Sequence, residues 1–89
     1  MAQTSASTQT SAVRRRIVTA LEKAFDHAAV DTRPLDGGRI LVRVIGRHFN
    51  RKDEATKQSE VWDVLRGVLG DADLLRIGLV LVFGTDQLA

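Results

Sequence analysis

A chain of 89 residues, 44% hydrophobic and 27% charged, has room for one hydrophobic core and the composition of an ordinary globular protein. It contains no cysteine, which excludes a disulfide framework, thiolate catalysis and any zinc or iron–sulfur site built from its own sulfur. A metal would fall to His27, His48 and carboxylates. The formal charge of +2 is a weak bias toward anionic partners. No apolar run reaches the roughly 18 residues that span a bilayer, and the first residues are too polar for a signal peptide, so a cytoplasmic location without membrane contact is expected.

Residues 1–12 (MAQTSASTQTSA) carry no charge and, past Met1, only alanine as an apolar residue. They cannot bury enough surface to offset the entropy of ordering, and a disordered tail is expected there. The folded domain is expected over 13–89. From Val13 onward, Ile17, Leu21, Ala24, Phe25 and Ala28 recur at helical steps, with Ser11 as a candidate cap and an end near His27. Arg14, Arg15 and Arg16 fall in the first turn of that helix, where the macrodipole disfavours cations by a few tenths of a kcal/mol each.

Two strands, Val30 to Leu35 and Arg39 to Ile45, flank Asp36-Gly37-Gly38, a turn sequence that readily supplies positive φ. In the second strand Ile40, Val42 and Val44 point to one side, while Arg39, Leu41, Arg43 and Ile45 point to the other. A basic loop, GRHFNRK over 46–52, follows. Asp53 then offers an N-cap for a second helix with Val61, Val64, Leu65 and Val68 as its apolar stripe, Trp62 at its border and Gly70 as its stop. Leu74 to Phe83 reads as a third strand. Strict alternation assigns Leu75, Ile77, Leu79, Leu81 and Phe83 to one face and Arg76, Gly78, Val80 and Val82 to the other.

The expected architecture is a small α+β domain of order α-β-β-α-β, with two helices packed on one face of a three-stranded mixed sheet. The hairpin makes the first two strands antiparallel, and a right-handed crossover makes the second and third parallel. The uncovered face is then expected to hold Arg39, Arg43 and Arg76.

No nucleophile elbow, P-loop, HExxH or histidine pair at helical ligand spacing is present, so catalysis is not expected. Asp71 and Asp73 suit a turn better than an acid/base pair. His48 lies among cations and reads first as a surface histidine without a duty. Nucleic-acid contact is the leading physical hypothesis, through Arg39, Arg43 and Arg76 on the open face and Arg47, Arg51 and Lys52 around Phe49 in the loop. Phe49 can serve as a stacking surface there, or it can plug the end of the core. The sequence VIGR over 44–47 matches the start of a KH signature loop, but Phe49 stands where its second glycine would be.

With this element order, and with Phe49 thirteen residues before Trp62, residues 15–88 resemble the BolA-like family. The resemblance implies a KH-like scaffold with a regulatory or stress-response role, acting through DNA, RNA or protein contacts. It also implies an alternative role as partner of a monothiol glutaredoxin in holding an iron–sulfur centre. The departures bear on that alternative. Arg51 replaces a glycine after the loop phenylalanine, Lys57 and Gln58 replace an Arg-His pair in the helix opening, and Arg76 falls where the family's metal-binding histidine is expected. Arginine cannot ligate iron, so no resident cofactor is expected and His48 is the one metal-ligand candidate left. The chain is expected to be a monomer or a weak homodimer, the latter through Leu41, Ile45, Val80 and Val82.

Overall fold

The computed structural model describes residues 2–88, with side chains described from Ser11 onward. Helix α1 runs over Ala2–Ala24. It begins before the Val13 start that apolar periodicity predicts. Met1 lies outside the described residues, while 2–12, the rest of the expected tail, continue the helix. Ser11 therefore lies inside the helix and does not cap it. Val13, Ile17, Leu21 and Phe25 are the buried face, and the chain leaves the helix through His27 at φ 62°, a left-handed residue that closes a helix C-terminus.

Strand β1 (Ala29–Pro34) pairs antiparallel with β2 (Ile40–Ile45). The connecting turn has Gly37 at φ 79° and Gly38 at φ 76°, a conformation that L side chains resist. A short turn over Arg47–Phe49 leads to helix α2 (Glu54–Val68). Asp53 caps it as expected, its carboxylate accepting from the Thr56 N–H at 2.8 Å. The helix ends at Val68, and Gly70 has φ −75°, so it is not a left-handed stop. It precedes α3, one helical turn over Asp71–Leu74, which takes the first residue expected of the third strand. Strand β3 is Ile77–Phe83. It runs parallel to β2, and the sheet order is β1-β2-β3. The order α-β-β-α-β and the mixed sheet are as the sequence predicts. Helix α1 lies against β1 and α2 against β3 on one face.

The alternation within β3 departs from expectation. Ile40 pairs with Ile77, but Leu41 pairs with Leu79, so β3 spends two residues, Ile77 and Gly78, where β2 spends one. An extra residue in one strand reverses which side chains face inward beyond it. Ile77, Val80 and Val82 are buried, whereas Leu79 is 49% exposed and Leu81 and Phe83 are half-exposed. Val80 and Val82 thus belong to the core and not to the open face or to a homodimer strip built on it. Leu75 is also exposed, because it precedes the strand. In α2, Leu69 rather than Val68 completes the buried stripe.

The core joins Val13, Ile17, Leu21 and Phe25 of α1 to Ile40, Val42, Val44, Ile77, Val80 and Val82 of the sheet and Val61, Leu65 and Leu69 from α2 and its end. Phe49 closes one end of it at 1% exposure, its ring centroid 4.9 Å from that of Phe25. Of the two sequence readings, the plug is the observed one. Phe49→Leu, which keeps an apolar side chain but leaves a void, should cost about 1–2 kcal/mol. A lowered urea midpoint with an unchanged slope would show it, and an unchanged midpoint would place Phe49 outside the core.

Candidate binding faces

The seven residues that the sequence nominates for contact lie in three places. Arg39 and Arg43 belong to the uncovered sheet face. Arg47, Arg51, Lys52 and Phe49 belong to the turn after β2, at the opposite end of the strand from Arg39. Arg76 precedes β3 and lines a depression with Ala12, Val13, Arg16 and Asp73 on the helix side. It does not join Arg39 and Arg43, because the strand in which it was expected starts one residue later.

Cross-strand register organises the open face into a three-by-three grid. Arg33, Leu41 and Leu79 form one row, Asp31, Arg43 and Leu81 the middle row, and Ala29, Ile45 and Phe83 the third. At its centre Arg43 makes a two-point ion pair with Asp31, Nε to Oδ1 at 3.2 Å and Nη2 to Oδ2 at 2.7 Å. Fork-to-carboxylate geometry of this kind satisfies the guanidinium and fixes its plane. The sequence reading missed Asp31, although hairpin register about Asp36-Gly37-Gly38 places 31 opposite 43. Beside the pair, the small side chain of Ala29 leaves a dip of about 80 Å³ rimmed by Val30, Asp31, Arg43 and Ile45. Arg39 and Arg33 are exposed at the hairpin end.

The loop is basic in sequence but tied down in space. Glu60, reaching across from α2, accepts from Lys52 Nζ at 2.9 and 3.1 Å and lies 3.1 Å from His48 Nε2. Lys52 Nζ is itself 3.0 Å from that nitrogen. The imidazole packs against Phe25 and edge-on against Phe49, each with centroids 5.1 Å away. Phe49 has no ring face to offer a base. Arg51, at φ 63°, donates its backbone N–H to Asp86 Oδ2 at 3.1 Å, and Asn50 Nδ2 donates to Thr85 Oγ1 at 3.0 Å. The segment after β3 is thereby latched onto the loop. Arg47 and the Arg51 side chain remain exposed there.

Two α2 residues, Lys57 and Gln58, have structural duties. Lys57 is buried to 2% exposure, with Nζ donating to Gln87 Oε1 at 2.9 Å and lying 3.4 Å from Glu54. A buried ammonium requires such partners. Gln58 Nε2 donates to the Val80 carbonyl at 2.9 Å, and Gln58 Oε1 accepts from Trp62 Nε1 at 3.2 Å. That pair occupies a backbone acceptor of the outer strand.

No family model and no curated protein matches this chain. No described helix is long and apolar enough to cross a membrane. The iron–sulfur centre implied by the BolA-like resemblance does not fit these residues. Arg76, at the family's metal-ligand position by that resemblance, precedes one end of the parallel β2–β3 pair while His48 follows the other, and His48 Nε2 is engaged by Glu60 and Lys52. Among the described residues no group of three His, Cys, Asp or Glu side chains could hold a metal.

Burial acts to raise the Glu60 carboxyl, but hydrogen bonds from Lys52 and His48 and their charge outweigh it, leaving Glu60 below its ordinary value. A carboxylate lowered on folding contributes stability that is complete above its unfolded value and is lost as pH falls through its folded one. The stability advantage of the wild type over Glu60→Gln should therefore be full at neutral pH and shrink as pH falls below about 4.5, the ordinary value. Urea midpoints of both proteins across that range measure it; an advantage independent of pH would mean that the ion pair contributes nothing.

Proposed function

We propose that this chain is a non-enzymatic adaptor domain of BolA-like type that holds a protein partner against its uncovered sheet face. The observation that carries this reading is the grid, in which Leu41, Ile45, Leu79, Leu81 and Phe83 surround an arginine already satisfied by Asp31. A contiguous apolar patch of this kind on a small domain marks a contact surface. Nucleic acid suits it poorly. A phosphate could take Arg43 only by displacing a well-formed carboxylate, and the apolar side chains give the sugar-phosphate backbone nothing. A protein surface uses both parts. Its apolar side chains cover the β2 and β3 columns, one of them enters the dip above Ala29, and an acidic group meets the exposed Arg33.

The ionisable groups also support a binding role over a catalytic one. Asp53, through hydrogen bonds from Thr56, and Glu60 are carboxyls held below their ordinary values. One caps a helix, the other anchors a loop lysine, and neither lies on the grid.

A photoreactive phenylalanine analogue placed at Leu79, and in a second protein at Arg47, tests the reading in cells. Residue 79 should form an adduct with protein, and Leu41→Asp on the neighbouring strand should abolish it while the purified variant stays folded. An adduct with the mass of two chains would identify the partner as a second copy. Nuclease-sensitive adducts at residue 47, with none at residue 79, would overturn the reading in favour of nucleic acid.

A further inference from the structure

On the opposite layer of the molecule, a groove of about 480 Å³ runs along the outer side of α1, lined by Ala12, Arg15, Arg16, Thr19, Ala20 and Lys23, with Val68 as its far wall. These α1 positions repeat at three- and four-residue steps and span about 16 Å of helix axis. A second depression shares Ala12 and Arg16 and continues the groove past Asp73 to Arg76. Three α1 cations, Arg15, Arg16 and Lys23, therefore line it, and the neighbouring carboxylate, Asp73, is engaged with Arg16 at 2.8 Å. Neither Arg15 nor Lys23 has an ion-pair or hydrogen-bond partner among the described residues. The floor is of small or apolar side chains, and Val68 at 44% exposure is left out of the core at the end of α2.

We propose that this groove is a docking site for an acidic amphipathic helix of a protein partner, separate from the sheet face. Three features select that occupant. Small side chains at Ala12, Thr19 and Ala20 allow a second helix axis to approach to about 8–10 Å. The apolar floor with Val68 gives a leucine-bearing stripe something to cover, which a nucleic-acid backbone lacks. The cations along the α1 wall pair with glutamates flanking that stripe. A second copy of this chain does not qualify through the same surface, because two such grooves would set arginine against arginine.

The test uses the full chain, isotopically labelled, with a synthetic helical peptide of about four turns. The peptide carries leucines on one stripe and glutamates beside them; the control has lysine in place of each glutamate. Amide shifts at Ala12, Thr19, Ala20 and Val68 should follow addition of the acidic peptide alone and weaken with salt. Arg15→Glu with Lys23→Glu, both at exposed positions, should weaken the acidic peptide by about tenfold, roughly 1.4 kcal/mol, and admit the lysine peptide. Val68→Asp should weaken the acidic peptide with every cation still in place. Equal response to both peptides, or shifts confined to Leu79 and Leu81, would overturn the proposal. So would a stronger response at the groove residues to anionic lipid vesicles or to a single-stranded oligonucleotide. Failure here leaves the sheet face untouched, since that surface is read at residue 79.

Discussion

Which side chains of this domain meet water depends on a single backbone irregularity, the extra residue at Ile77–Gly78 in the outer strand. A side chain at Gly78 would begin 3.2 Å from both the Arg39 Cβ and the Leu35 Cδ1. With glycine there, the hairpin end closes down beside the start of β3, and the strand takes up its extra residue without pushing Leu35 or Arg39 aside. Beyond that point every β3 side chain changes sides. Branched valines, Val80 and Val82, meet the helices, and Leu79, Leu81 and Phe83 enlarge the outer face. Without the shift, the leucines would have to fit beneath α2, and the outer face would present smaller valines.

Charge follows the same geometry. The outer face carries one ion pair fixed by hairpin register, and the loop carries another between Lys52 and Glu60. In the linear chain these lysines and arginines appear as basic runs because their acidic partners lie twelve and eight residues away. Folding pairs Arg43 and Lys52, which neutralises one cation in each segment and leaves Arg39, Arg47 and Arg51 exposed. Exposed arginines thus remain at the two ends of the outer face, Arg33 and Arg39 at the hairpin and Arg47 and Arg51 in the loop, and its centre is neutralised.

The fold was legible because its signals are local or pairwise. The α2 cap at Asp53, the positive-φ glycines of the hairpin, the helical stripe of α1 from Val13 to Phe25 and the alternation of β2 each need only a few neighbouring residues. The faces of β3 were not legible, because a run of apolar side chains such as Leu79–Phe83 alternates equally well in either phase, and only its pairing with β2 decides. Arg76 was misplaced for the same reason, as α3 consumes part of the expected strand. Phe49 stayed undecided in sequence because a loop aromatic beside cations has the same local pattern whether it stacks on a base or fills a core. The decisive contact, with Phe25, is long in sequence. Glu60 and Asp31 went unnoticed as partners because each is ordinary where it stands.

The segment after β3 ties these parts together. Gln87 Oε1 accepts from both the buried Lys57 ammonium and the Gly84 N–H, at 2.9 and 2.8 Å, and Asp86 and Thr85 hold Arg51 and Asn50. Lys57 lies on the α2 face that meets the core, so its charge is tolerable only while Gln87 and Glu54 remain in reach. The end of the chain therefore acts as a structural lid over a buried cation, fixing the loop that carries Phe49 and, through it, the end of β2 that frames the outer face. The two layers differ in chemistry, with an apolar sheet face on one side and a cationic helix groove on the other. That division lets one small core carry two chemically different faces.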